Sequence, residues 1–176
     1  MRGASILIWS VVLAACTTVV PTPVYQPGTT QELTGAIVVE PFTYSPREDV
    51  AQDEIYYTMA GTWKLQQPVG AYVTQAVRHE LRQAGISLAE GKCRIGGDVK
   101  SIRLEIGSAA YAAEIAYSVS SPGGRFERLV ASRVGNIRLY DTGDAAAFLN
   151  QTISQNIDEL LRDESFRATL RDECAA

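Results

Sequence analysis

Tyr111, Ala113, Ile115, Tyr117 and Val119 recur at every second position, with small or charged residues between them. A period of two sends one set of side chains to one side of an extended chain, so this stretch is satisfied only as a strand with one buried face. Such a strand needs hydrogen-bonding partners along its edges, and the flanking residues supply them. Residues 95–106 alternate Ile102, Leu104 and Ile106 with Arg103 and Glu105, while Ile95 and Val99 fall on the opposite parity. The change of parity predicts a bulge or bend near Lys100 and Ser101. Residues 120–124 (Ser-Ser-Pro-Gly-Gly) read as a turn. Residues 126–139 return as the next strand, with an irregularity at Gly135 and Asn136. Together these runs predict an antiparallel meander.

On either side of the meander the apolar period changes to three and four. After Pro68, a residue suited to the first turn of a helix, Val69, Tyr72, Val73, Ala76, Val77, Leu81 and Ala84 share one face, and Gly85 closes the run. A helix over residues 69–86 follows, with Gln75, Arg78, His79 and Arg82 on its wet side. Ala146, Leu149, Ile153, Ile157, Leu160 and Leu161 predict a second helix over residues 144–161, capped from within residues 141–144, and residues 163–170 read as a short final helix. Upstream, residues 35–42 are a β-branched run closed by Pro41, which reads as a buried strand, and part of residues 55–65 reads as another. The expected fold is α+β: an antiparallel sheet with two long amphipathic helices on one face, forming a single domain over residues 34–176.

The first sixteen residues follow another pattern. Arg2 gives a positive start, residues 6–13 are apolar, and Leu13-Ala14-Ala15-Cys16 places small residues directly before a cysteine. This is a bacterial lipobox: residues 1–15 read as a signal peptide, and Cys16 as the site of lipid attachment and the new amino terminus. The alternative is an ordinary secretory signal or an uncleaved anchor, although the apolar run is short for crossing a bilayer. Two or three acyl chains, at about 0.8 kcal/mol per buried methylene, hold a protein to a membrane essentially permanently. Thr17, rather than Asp, after the cysteine matches the outer-membrane sorting rule, which places the protein on the inner leaflet facing the periplasm. Residues 16–33 then read as an uncharged tether up to Gln31, extended by Pro21, Pro23 and Pro27. At about 3.1 Å per residue such a tether would hold the domain several nanometres from the lipid.

Composition bounds the chemistry. Of 176 residues, Lys and Arg number 16 and Asp and Glu 20, a formal net charge of -4, so there is no basic excess to neutralise the phosphates of a nucleic acid. The single histidine, His79, reads as a solvated surface residue. With it and only two cysteines besides Cys16, no metal site is expected. Cys93 and Cys174 either pair in an oxidising compartment or stand as two free, partly buried thiols. Asp98, Glu105 and Glu114 lie on predicted strands with no visible catalytic pairing. Neither Gly96-Gly97 nor Gly123-Gly124 precedes a helix as a phosphate loop does. No cofactor, metal or catalytic residue is therefore predicted. Tyr56, Tyr57, Met59 and Trp63 form an aromatic cluster between elements. It reads either as a contact for a partner protein or, more blandly, as cover for the sheet or helix edge.

The lipobox, the Pro-rich tether, the early strand, the helix from Pro68 followed by Gly85-Ile86, the charged meander and the terminal stretch from Phe148 to Asp163 resemble the ABC-type transport auxiliary lipoproteins. The YajG-like lipoproteins share the outline. The resemblance spans most of residues 34–170 and carries no catalytic residues over. It implies a non-enzymatic, membrane-anchored accessory protein that binds envelope proteins or lipid for an ABC-type transport or envelope-maintenance system. The competing expectation is a peptidoglycan-related lipoprotein, either an activator of a wall synthase or a hydrolase.

Overall fold

In the computed structural model, residues 18–19, 22–57, 61–88, 91–105, 110–135 and 142–175 are described. Three long strands form the spine: β6 (Cys93–Glu105), β7 (Ala110–Ser121) and β8 (Gly124–Val134), paired antiparallel in sequence order. Ile95, Val99, Ile102 and Leu104 all reach the core from β6 although their parities differ, because the register shifts between Val99 and Ser101. The bulge lies where the change of parity in the sequence put it.

The rest of the sheet corrects the expectation of an antiparallel one. Three short strands, β2 (Ile37–Val39), β3 (Thr43–Tyr44) and β4 (Glu54–Tyr57), follow one another along the free edge of β6, and all three run parallel to it. Beyond β4 lie β5 (Gly61–Lys64), antiparallel to it, and then β1 (Thr18–Val19), parallel to β5. The sheet is therefore mixed, built of eight strand segments among the described residues. Helix α1 (Val69–Gln83) follows β5, which runs opposite to β6, so the chain reaches the parallel edge of β6 only after the β4–β5 turn and the helix. Pro41, which has no N–H to give the ladder, separates β2 from β3.

Among the described residues three helices accompany the sheet, not two long ones alone, the last of them where a short final helix was expected: α1 with 15 residues, α2 (Thr142–Arg162) with 21 and α3 (Glu164–Glu173) with 10. The first stops short of residue 86 because Gly85 adopts φ +91°, and the N–H of Ile86 turns back to the carbonyl of Leu81. Asp163 starts α3 by accepting from the N–H groups of Ser165 and Phe166. Helix α1 packs on β2, β3 and β6, α2 on β7 and β8, and the two helices touch each other. Their stripes and one face of the sheet enclose a core that includes Val73, Val77, Leu81, Ile115, Ile153, Ile157 and Phe166. Phe42 stands edge-on to Tyr117, 5.7 Å between ring centres. It fits there because residue 97 is glycine: a Cβ would meet the Ala116 carbonyl and lie 2.7 Å from the Phe42 ring.

Cys93 and Cys174 are joined as a disulfide, tying the start of β6 to the end of α3. Their backbones also meet through β2 and the residue before it: Ile37 pairs with Cys93, and the N–H of Ala36 donates to the Cys174 carbonyl.

Candidate functional site

The chain ahead of residue 34 does not hang free. Tyr25 and Thr29 are buried, and residues 22–33 lie as a strap across α1 and α2. The strap is held by a carboxylate. Glu80, on α1, has no exposed surface. Its Oε1 accepts from the Tyr25 hydroxyl (2.5 Å), the Gly28 N–H (2.9 Å) and the Ser154 hydroxyl of α2 (2.7 Å), and its Oε2 accepts from the Thr29 N–H (2.9 Å). A buried carboxylate is costly unless its lone pairs are filled, and these four donors fill them. Burial, reinforced by the bond to Glu80, pushes the Tyr25 phenol well above its ordinary range, so it remains a donor.

Further contacts run the length of the strap. Thr22 Oγ1 accepts from the Gln66 N–H, Asn150 exchanges two hydrogen bonds with the Gln26 backbone, the Thr29 hydroxyl donates to Asp158, and the Leu33 N–H reaches the Ala84 carbonyl. The Tyr25 ring stands edge-on to Tyr72 at 6.1 Å. Residues 22–33 are thus part of the fold, which corrects the expectation of a free tether over residues 16–33. The prolines make the strap extended; the helix groove gives it somewhere to lie.

The aromatic cluster does not form one patch. Ile55 is the direct partner of Trp63 across β4 and β5, so the indole turns to the core side, where it packs 6.1 Å from Tyr111, which in turn stacks on Phe148. Tyr56 pairs with Thr62 and carries the Arg47 guanidinium 4.8 Å above its ring. Tyr57 pairs through its backbone with Gly61 and Leu104. Trp63 is therefore partly buried and packed against the core. Met59 and Cys16 lie outside the described residues. His79 is exposed, its ring 6.2 Å from that of Tyr25.

The sheet face turned away from the helices is a shallow trough. Its floor is β7, with Ala112, Glu114, Ala116 and Ser118; its walls are Asp98 and Arg103 of β6 and Glu127, Leu129 and Arg133 of β8. Two recesses lie along it, about 480 Å³ beside Ala116 and Leu129 and about 260 Å³ beside Ala112 and Arg133. The walls are charge-paired: Arg103 and Arg133 both reach Glu105, at 3.0 and 2.9 Å, and Lys100 reaches Asp98 at 2.6 Å. Partial burial would raise the Asp98 pKa, but hydrogen bonds from Lys100, Ser45 and Thr43 outweigh it and hold the carboxyl below its usual range. Leu129 stands 60% exposed in this wall. Among the described residues no group of three or more His, Cys, Asp or Glu could hold a metal ion, and no helix is long and apolar enough to cross a membrane.

Sequence reading missed Glu80, which looks like a neighbour of His79 on the wet face, and Asn156. The latter is fully buried in α2, donates to the carbonyls of Ala113 and Val130 and to Ser132, and accepts from the Tyr117 hydroxyl at 2.8 Å. The signal was present in the spacing: Glu80 falls three residues after Val77, and Asn156 three after Ile153, each on the edge of an apolar stripe.

The architecture is similar to solved structures. Protein XCC0632 from Xanthomonas campestris, described under the family model DUF330, matches with a TM-score of 0.59 at 17% identity, over 88% of this chain and 95% of that one. The crystal structure of an uncharacterized protein matches with a TM-score of 0.62 at 10% identity, over 83% of this chain and 97% of that one. At such identities the likeness is one of fold. No protein-family model matches the sequence, and no curated protein does.

Proposed function

We propose that this chain is a lipid-anchored accessory protein of the bacterial envelope, acting by binding rather than catalysis, in an ABC-type transport or envelope-maintenance system. The observation that carries the reading is Leu13-Ala14-Ala15-Cys16, an acylation motif only a few residues ahead of a folded domain. The resemblance of residues 34–170 to the ABC-type auxiliary lipoproteins supports it. In this reading the protein sits on the inner leaflet of the outer membrane, facing the periplasm, and uses the trough around Leu129 or the exposed side of Tyr56 to meet its partner.

The test has two parts. Fatty-acid analogue labelling should mark the wild type and be lost in Cys16→Ser. Photocrosslinkers placed at Leu129 and Tyr56 in cells should capture a permease or a lipid-binding subunit of a transport system. Capture of a wall synthase from both positions, or muralytic activity of the purified domain, replaces the reading with the peptidoglycan one.

A further inference from the structure

We infer that the acyl group on Cys16 seats the molecule directly on the lipid surface by one end of its sheet, with the β7–β8 hairpin directed away from the membrane. The inference rests on the anchor proposed above and concerns its geometry. Thr18 pairs with Trp63 and Val19 with Lys64. Two Cα steps of about 3.8 Å separate Cys16 from Thr18, so the lipidated residue lies within about 7 Å of the β1–β5 edge. No slack enters from the other direction, because Thr22 is bonded to Gln66 and residues 25–29 are locked to Glu80 and Asn150. The segment that composition marks as a spacer is used up inside the fold.

The edge to which it is tied lies at a defined end of the sheet. Trp63 is two residues from Gly61, which pairs with Tyr57. Tyr57 also pairs with Leu104, and the next residue of β6, Glu105, pairs with Ala110 at the start of β7. The anchor is thus beside the end where β4 meets β5 and β6 meets β7. Strand β7 leads away for 12 residues, about 40 Å at 3.3 Å per residue, to the hairpin at Ser121 and Gly124. The Cys93–Cys174 disulfide lies toward that far end, since Arg94 pairs with Ser120.

The occupant of the near end is the bilayer that holds the acyl chains. Val19, 59% exposed, stands three residues from Cys16 and suits the headgroup boundary as an exposed apolar side chain, while the half-exposed Lys64 beside it is paired with Asp53 at 3.1 Å. Partners then meet a rigid body whose open trough runs outward from the membrane, rather than a domain swinging on a flexible leash.

Trp9 leaves with the signal peptide, so Trp63 is the one tryptophan of the mature chain and reports on its own position. The acylated protein is reconstituted in phosphatidylcholine and phosphatidylglycerol vesicles carrying a headgroup nitroxide lipid. Trp63 emission should be quenched relative to vesicles without nitroxide. Quenching should be lost when a Gly-Ser stretch of about fifteen residues is inserted between Thr17 and Thr18, while acylation and melting stay unchanged. A chain carrying Trp63→Phe and Arg125→Trp, with the indole moved to the far hairpin, should escape quenching. Equal quenching with and without the insertion, or at both ends of the sheet, overturns the seat while leaving the anchor standing. A Cys16 that takes no fatty-acid label overturns the anchor itself.

Discussion

Replacing Glu80 by alanine would strip four donors of their acceptor, among them the buried hydroxyl of Tyr25 and the N–H groups of Gly28 and Thr29. Unpaired buried donors cost about 1 to 3 kcal/mol each, and relaxation of the strap into water recovers part of it, so a loss of about 3 kcal/mol is expected in urea unfolding. Proteolysis should then cut first within residues 22–33. Glu80→Gln should fall between the two: its oxygen can replace Oε1, but its amide would face another donor at Thr29. A wild-type stability in Glu80→Ala would mean that the strap is held by other contacts. Asp98 carries a pH signature. Its folded pKa lies below the unfolded value, so the stabilisation it contributes is present above about pH 4 and is lost as the pH falls through the folded value. Urea midpoints followed from about pH 5 down to pH 2 should therefore decline less in Asp98→Asn than in the wild type. Neither role is visible in residue type alone. Glu80 and Asp98 are two of many carboxylates, set apart by donors that sit 51 to 74 residues away in one case and 53 to 55 in part of the other.

Among the elements, those with strong internal periodicity were legible from the sequence. The stripe of α1, the alternation of β7 and the bulge in β6 all express a spacing that repeats within the element itself. Elements of two to four residues, such as β3 and β5, are too short to carry a period and exist because a neighbouring strand completes their hydrogen bonds. Strand direction was misjudged for a different reason. The parallel partners of β6 are β2, β3 and β4, separated from it in the chain by the β4–β5 turn and α1, so no local pattern states their direction. The disulfide acts at this scale as well, joining the last helix to the first residue of β6 across 81 positions. By loop closure it restrains the unfolded chain by about 4 to 5 kcal/mol. Cys93→Ala with Cys174→Ala should lose stability of that order, and adding a reductant should lower the unfolding midpoint of the wild type but not of the double variant. Equal midpoints for the two proteins under oxidising conditions would show that α3 is docked by Phe166 and Leu170 alone.

For the molecule as a whole, the strap turns a stretch of low-complexity chain into part of the structure. A chain beginning at residue 34 would expose the Glu80 carboxylate, lose the buried Tyr25 ring and open the groove between α1 and α2. The cost should be about 4 kcal/mol, a fall of about 10 °C in Tm by calorimetry. A free tether would make the same truncation neutral. Local pattern sufficed for the two helical stripes, the meander and its bulge, because each is written in residues near one another in the chain. Position in space settled the rest. The parallel edge of β6, the burial of Glu80 and Asn156, the division of Tyr56 from Trp63 and the docking of the strap all depend on groups that meet only after the helices have closed over the sheet. A donor and an acceptor that find each other from 50 or more residues apart leave no periodicity behind, so nothing in the order of amino acids announces them.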